Sequence, residues 1–224
     1  VIRKVGTAAE YGKYAKLPII PAVATPEGQG LQDSTPLIEA MEAKFSEPSI
    51  HPAGPTLRFL SELLEEFGDE WGNKWMFHFR WAREVDQRAT ALRLATEMTA
   101  GSSQADQMAD GIRGRMSGRG FAVGSNEKTT PIIESDFKKA VSLMEAHLGH
   151  RPYLFGGRPA FADFGIAPQI YQALIDPTAG EILRASAPRV CSWAERMNDP
   201  KAEGDFEAWH TLSSTMEPLL HHVR

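Results

Sequence analysis

The sequence predicts an α+β chain in which a small sheet-containing unit precedes a larger all-helical one. Three observations carry this. The first 46 residues read as strand, helix, strand, strand, helix; residues 47–54 form a proline-rich break; and from residue 55 onward apolar residues recur at three and four positions, the helical spacing. The expected organisation is therefore a domain over 1–46, a linker over 47–54 and a helical domain over 55–224.

Val1 to Val5 is short and rich in β-branched residues, which predicts a strand. Thr7-Ala8-Ala9-Glu10 has the spacing of a capping box and opens a helix to about Lys16, which Pro18 ends. Ile20 to Ala24 reads as a strand entered through Pro21, which cannot donate to a ladder and belongs at the strand's start or edge. Thr25 to Gln29 has the composition of a turn, so Gly30-Leu31-Gln32 returns as the antiparallel partner. Asp33-Ser34-Thr35-Pro36 is a helix start, and that helix runs to about Phe45.

Ser46 to Pro55 holds three prolines and one glycine. Beyond it, Leu57, Leu60, Leu63, Leu64, Phe67, Trp71, Trp75 and Phe79 form one stripe on a long helix that Gly68 and Gly72 bend or break. Further helices are expected over Val85–Met98, Gln104–Met116 and Ile133–Leu148. Gly111 to Ser125 holds five glycines and three arginines; within it Gly118 to Gly124 superficially suggests a phosphate loop but neither follows a strand nor opens a helix, so it reads as a mobile loop. Phe161 to Ile175 is apolar around nearly its whole circumference and predicts a buried helix, kinked at Pro168. Pro188 opens another helix carrying Val190, Trp193 and Met197.

Composition narrows the function. The 224 residues carry 24 basic and 29 acidic side chains, a net charge of −5, and no segment has the basic density of a nucleic-acid binder. The lone Cys191 excludes an internal disulfide framework and any multi-cysteine zinc site, and is expected to be a buried, inert thiol. No His/Asp/Glu spacing points to a metal site. Apolar runs are far shorter than the ~20 residues of a membrane span, and no signal-peptide core is present, so a cytoplasmic location and no membrane partner are expected. The chain opens at Val1 inside a strand-like run, which suggests a piece of a longer protein.

Four words in this order carry a resemblance: Ile20-Pro21-Ala22-Val23, Leu31-Gln32-Asp33-Ser34, the stretch Gly157 to Phe164 with Ala160 and Asp163, and the stretch Pro188 to Met197 with Trp193 and Arg196. With the helical second half, the chain resembles the soluble glutathione transferase family, in a bacterial-type branch, over most of its length except about Gly101 to Thr130. The resemblance implies a thioredoxin-like N-terminal domain, here lacking its first strand and helix, followed by the family's helical C-terminal domain. The missing unit is where the family carries its thiol-activating residue, so the catalytic residue is unassigned. At the start of the buried helix the family usually has Ser or Thr where this chain has Ala160, a loss of ~1 kcal/mol unless Asp163 compensates.

What the family does implies glutathione as co-substrate, a small hydrophobic electrophile as second substrate, and a homodimer. A cis bond at Ile20-Pro21 would turn the Ile20 backbone outward to pair with the tripeptide; Ser34 at a helix start would hold a carboxylate, Asp33 the ammonium, and Gln32 a further contact. Asp33, Ser34 and Thr35 also fit simple helix capping. The electrophile pocket would come from the aromatic cluster with Trp71, Trp75, His78 and Phe79, although the same spacing fits a core stripe. His78 reads as a satisfied interior or rim histidine, His221-His222 as a solvated terminal pair, and Glu62, Glu65, Glu66, Asp69 and Glu70 as a solvated face. The alternative to an enzyme is a non-catalytic ligand-binding or scaffolding relative.

Overall fold

A computed structural model describes residues 8–17 and 19–223. The expected strand Val1 to Val5, the capping position Thr7 and the helix-ending Pro18 lie outside the described residues. The chain forms two compact units, Val1–Ile50 and His51–Arg224. The α+β class holds: a small two-stranded element in a partial thioredoxin-like unit, then a helical unit.

In the first unit, α1 (Ala8–Tyr14) is followed by β1 (Ala22–Ala24), β2 (Gly30–Gln32) and α2 (Ser34–Lys44). The strands pair antiparallel, with Ala22 opposite Gln32, Val23 opposite Leu31 and Ala24 opposite Gly30. Thr25 closes the turn through its backbone and hydroxyl, and Gly28 supplies the positive φ that the turn needs. Gly30 has no room for a side chain, since a Cβ there would lie 2.0 Å from the Tyr14 carbonyl oxygen. The Ile20-Pro21 bond is cis, as the resemblance implies; Glu47-Pro48 is cis as well, which the sequence did not indicate.

The second unit opens with α3 (Pro55–Phe67), whose first turn takes Pro55, a residue with no N–H to lose there. A π-helical turn over Gly68–Gly72 joins it to α4 (Asn73–Ala82). This is the expected irregularity at Gly68 and Gly72, and its cause is packing. A Cβ on Gly68 would lie 2.6 Å from the Gly165 backbone, and one on Gly165 would lie 2.5 Å from the Glu65 carbonyl oxygen. The two glycines let α3 cross the buried helix α8 (Phe161–Leu174) at backbone contact. Glu65 is buried at that crossing, so the acidic face is not solvated along its whole length.

Next come α5 (Glu84–Met98), α6 (Ala105–Ser117), a short 3₁₀ turn over Gly120–Val123 and α7 (Thr130–His147). The helix expected over Gln104–Met116 is α6, and the stretch Gly118–Gly124, expected to be a mobile loop, holds the 3₁₀ turn. After α8 follow α9 (Pro177–Ser186), α10 (Pro188–Arg196) and α11 (Trp209–Val223). Helix α8 continues across Pro168, which is exposed, so the missing N–H faces solvent rather than the core. The core gathers Leu64, Phe79, Phe137, Met144, Ile166, Ile170, Leu183, Trp193 and Leu212 around α8. Buried carboxylates tie the helices together. Asp176 accepts from Arg80, Arg93 and Thr90, and Asp86 accepts from the Thr178 N–H and hydroxyl at the start of α9.

Candidate functional site

In the first unit the antiparallel pairing brings the expected ligand residues to one end of the sheet. The Asp33 N–H donates to the Pro21 carbonyl at 3.1 Å, extending the ladder one step past β2. Pro21, Asp33 and Ser34 therefore meet where α2 begins. The Ile20 side chain is 85% exposed, and none of the described residues hydrogen-bonds its backbone. Asp33 has φ 77 and ψ 142, a region that costs a residue with a Cβ ~1–3 kcal/mol. Its exposed carboxylate makes no capping hydrogen bond to α2. The Ser34 hydroxyl and N–H likewise have no partner among the described residues. Simple capping does not account for Asp33.

Gln32 differs from the contact expected of it. Its Oε1 accepts from the Lys16 and Leu17 N–H groups at 3.0 and 3.1 Å. Its Nε2 lies within hydrogen-bond reach of the Leu17 and Ile19 carbonyls and of the Tyr11 hydroxyl. The Tyr11 hydroxyl in turn donates to the Leu17 or Ile19 carbonyl. Gln32 and Tyr11 thus fix the backbone that leads into Ile20, and the Gln32 amide has little capacity left for a ligand.

The aromatic cluster of the helical unit separates into three environments. Trp71 and Trp75 line a pocket of about 440 Å³ with Phe67, Ile132 and Ile133. The Trp75 indole N–H donates to Asp136 at 2.7 Å, and Lys74 sits 3.6 Å over the Trp71 ring. His222 also lines this pocket and pairs with Asp136 at 3.2 Å with its side chain 12% exposed; it is not the solvated terminal residue expected. His78 lies in a different pocket of about 240 Å³, with Phe77, Trp81, Ser125 and Glu127. Phe79 lines neither. It is fully buried against Phe137 at 4.8 Å and belongs to the core, because its face of α4 turns toward α7 and α8.

Residues 95–196 match the family model described as glutathione S-transferase, C-terminal domain. The helical unit carries the C-terminal domain of the glutathione transferase family. A search of curated proteins and a search of solved structures each return no match. The matched span includes the segment 101–130, which the sequence resemblance had left out.

In this glutathione transferase C-terminal domain the start of α8 is held by Asp163. One carboxylate oxygen accepts the Leu154 N–H at 2.9 Å and the Trp193 indole N–H at 2.7 Å; the other accepts the Ala160 N–H at 2.8 Å. The last bond is the compensation that the absent Ser or Thr at Ala160 calls for. Burial pushes the Asp163 pKa up to about 6 against the pull of these donors. His147 is bonded to the same residue from the other side, with Nε2–H donating to the Leu154 carbonyl at 2.7 Å. Burial pushes its pKa down to about 4. The half-buried Cys191 thiol is shifted up, chiefly by burial, which suits an inert residue.

Nothing in the sequence marks the partners of His78. Its Nδ1 is 2.7 Å from the Ser125 hydroxyl, and its Nε2 is 3.4 Å from Glu134. Arg83 holds the same Glu134 carboxylate oxygen. These side chains come from α4, the segment after the 3₁₀ turn, and α7. No fixed spacing marks such a set, because its members are 47 and 56 residues apart.

Proposed function

We propose that the protein binds glutathione and transfers its thiolate to a hydrophobic electrophile, as a cytoplasmic homodimer. The observation that carries this reading is Asp33. It is held at positive φ where α2 starts, beside Pro21, with a carboxylate that caps nothing. Strain of this kind persists where a position serves something other than stability. Asp33 would pair with the ligand's ammonium. Ser34 would offer its hydroxyl and N–H to a carboxylate, favoured there by the helix dipole. The Ile20 backbone would pair with the cysteinyl part of the tripeptide, and Gln32 would hold the strand that presents it. The pocket at Trp71 and Trp75 is mostly apolar, with Lys74, Thr129, Asp136 and His222 as its polar groups, which suits the electrophile. Among the described residues no helix is long and apolar enough to cross a membrane.

Isothermal titration of the protein with glutathione tests the reading. Binding at or below millimolar ligand, weakened by Ser34→Ala, supports it; no binding at millimolar ligand sinks it. Sedimentation that finds only monomer at micromolar protein removes the dimer. A second reading, a non-catalytic binder of hydrophobic ligands, is favoured by the pocket of about 440 Å³, which residues of the helical unit form by themselves. Saturable binding of a hydrophobic dye without turnover of any thiol-reactive substrate selects that reading.

A further inference from the structure

We propose that Ser125, His78 and Glu134 form a nucleophilic site that cleaves small neutral esters through an acyl-serine intermediate. The proposal stands apart from glutathione binding and uses only residues of the helical unit.

The argument starts from Glu134. Arg83 and His78 hydrogen-bond its carboxyl and hold it below the usual carboxylate range in spite of burial, so it is ionised and can only accept. The His78 nitrogen facing it, Nε2, must then carry the ring proton. His78 is 1% exposed, and burial lowers its pKa, so the ring is neutral and Nδ1 is left with a lone pair. The Ser125 hydroxyl, 2.7 Å from Nδ1, therefore donates its proton to that lone pair. A hydroxyl bonded to a neutral imidazole that a carboxylate orients is the arrangement of an activated nucleophile. The ring is used in the reverse sense to the best-known triads, with Nδ1 on the serine. Geometry and roles define such a site, and either ring nitrogen can take up the proton when the other carries the hydrogen, which its own partner decides.

The pocket at this serine fits the role. Its volume of about 240 Å³ is below that of a drug-sized ligand, and Phe77, Trp81 and Ala82 give it an apolar wall for a short acyl chain. No Lys or Arg lines it and Glu127 does, which disfavours an anionic substrate. The Glu127 backbone N–H, next but one to Ser125, has no partner among the described residues and is available to a developing oxyanion.

In the reaction, Ser125 Oγ bonds to the acyl carbon as its proton passes to His78 Nδ1. The bond to the leaving alcohol breaks, and the alcohol takes that proton. Water then attacks the acyl-serine, gives a proton to His78, and the acid departs as Ser125 regains its proton. The sum is ester plus water to acid plus alcohol.

The test is a fluorophosphonate probe, with p-nitrophenyl acetate as substrate, on the full chain in the absence of glutathione. One phosphonyl group per chain, mapped to Ser125 with loss of fluoride, is the expected result. Ser125→Ala should take no label, while Ser142→Ala, at an exposed serine of α7, should label like the parent. His78→Gln should slow labelling about 100-fold. Glu134→Gln should lower the maximal rate about tenfold or more, leave the half-saturating probe concentration within about twofold, and be partly rescued by Glu134→Asp. If circular dichroism shows that His78→Gln is unfolded, the Ser125 and Glu134 variants decide. No label on Ser125 in the folded parent overturns the proposal. So does labelling that a folded Glu134→Gln variant leaves unchanged.

Discussion

Replacing Asp33 by glycine separates structural from functional reasons for its strained backbone. With φ 77 and ψ 142, Asp33 stores ~1–3 kcal/mol that glycine does not. Glycine also gains ~0.5–1 kcal/mol of freedom in the unfolded chain, so the net effect on folding is about 0–2.5 kcal/mol in favour of the variant. Binding should move the other way. A charge-assisted hydrogen bond is worth ~1.5–3 kcal/mol when buried; the Asp33 carboxylate is exposed, so screening leaves ~1 kcal/mol. That is a loss of about fivefold in glutathione affinity. Asp33→Asn keeps the shape and removes the charge, and should lose similar affinity without the gain in stability. Hydrogen exchange of the β1 and β2 amides reads the first unit's stability, and titration calorimetry reads the affinity. A glycine variant that binds glutathione like the parent refutes the ammonium contact. One that exchanges faster refutes the strain.

Asp163→Ala leaves three buried N–H groups without an acceptor and should cost about 2–5 kcal/mol, lowering the melting temperature by roughly 5–15 °C; a loss under about 1 kcal/mol in a thermal melt counts against the network. Gly165→Ala places a Cβ 2.5 Å from the Glu65 carbonyl oxygen and should cost ~1–3 kcal/mol, measured as a lower urea midpoint with an unchanged slope. For pH, His147 with its pKa lowered from 6.5 to about 4 makes the folded state bind fewer protons than the unfolded chain, so its contribution is complete above pH 6.5 and is lost as pH falls toward 4. Asp163, raised from 3.8 to about 6, acts oppositely, since its folded form keeps a proton that the unfolded chain has released. The two largely cancel between pH 4 and 6, each at most about 1.4 kcal/mol per pH unit. In denaturant titrations His147→Gln should therefore rise less, or fall more, with pH than the parent through that range, and a variant whose slope equals the parent's contradicts the assignment.

The parts of the fold that were legible in the sequence are those where a residue's identity is dictated by backbone geometry nearby. Pro36 and Pro188 each stand in a helix's first turn, and the turn around Gly28 joins two strands of the expected pairing. The two C-terminal words of the resemblance prove to be one physical unit. Asp163 of the first accepts the indole N–H of Trp193 of the second, and Arg196 donates to the Pro152 carbonyl. What stayed hidden depends on pairs distant in the chain. The stripe on the long first helix looked uniform, yet Trp75 pairs with Asp136, His78 with Ser125, and Phe79 with Phe137. Periodicity assigns residues to a face but not to a partner, so it could not divide this stripe into pocket, polar cluster and core. Gln32 shows a related limit. It is a candidate for a backbone or side-chain contact beside Asp33, but the side chains of consecutive extended residues leave on opposite faces, and its own reaches Lys16, Leu17 and Ile19.

Across 111–125 the five glycines do not share one meaning. A Cβ at Gly111, Gly114 or Gly118 would meet nothing within 4 Å. The first two of these sit in α6, where they weaken the helix by ~1 kcal/mol each relative to alanine without breaking it. The helix survives because α6 packs along α5, and tertiary contact outweighs propensity. Gly120 and Gly124 are different. A Cβ on Gly120 would lie 2.8 Å from the Ser125 carbonyl oxygen, and Gly124 has φ 71. These two close the 3₁₀ turn so tightly that the Ser125 N–H reaches the Gly120 carbonyl at 2.8 Å. The consequence is positional. Val123 and Gly124 line the larger pocket, and Ser125, the next residue, lines the smaller one beside His78. Two glycines, required for closure rather than for mobility, therefore set the wall between the apolar pocket and the serine.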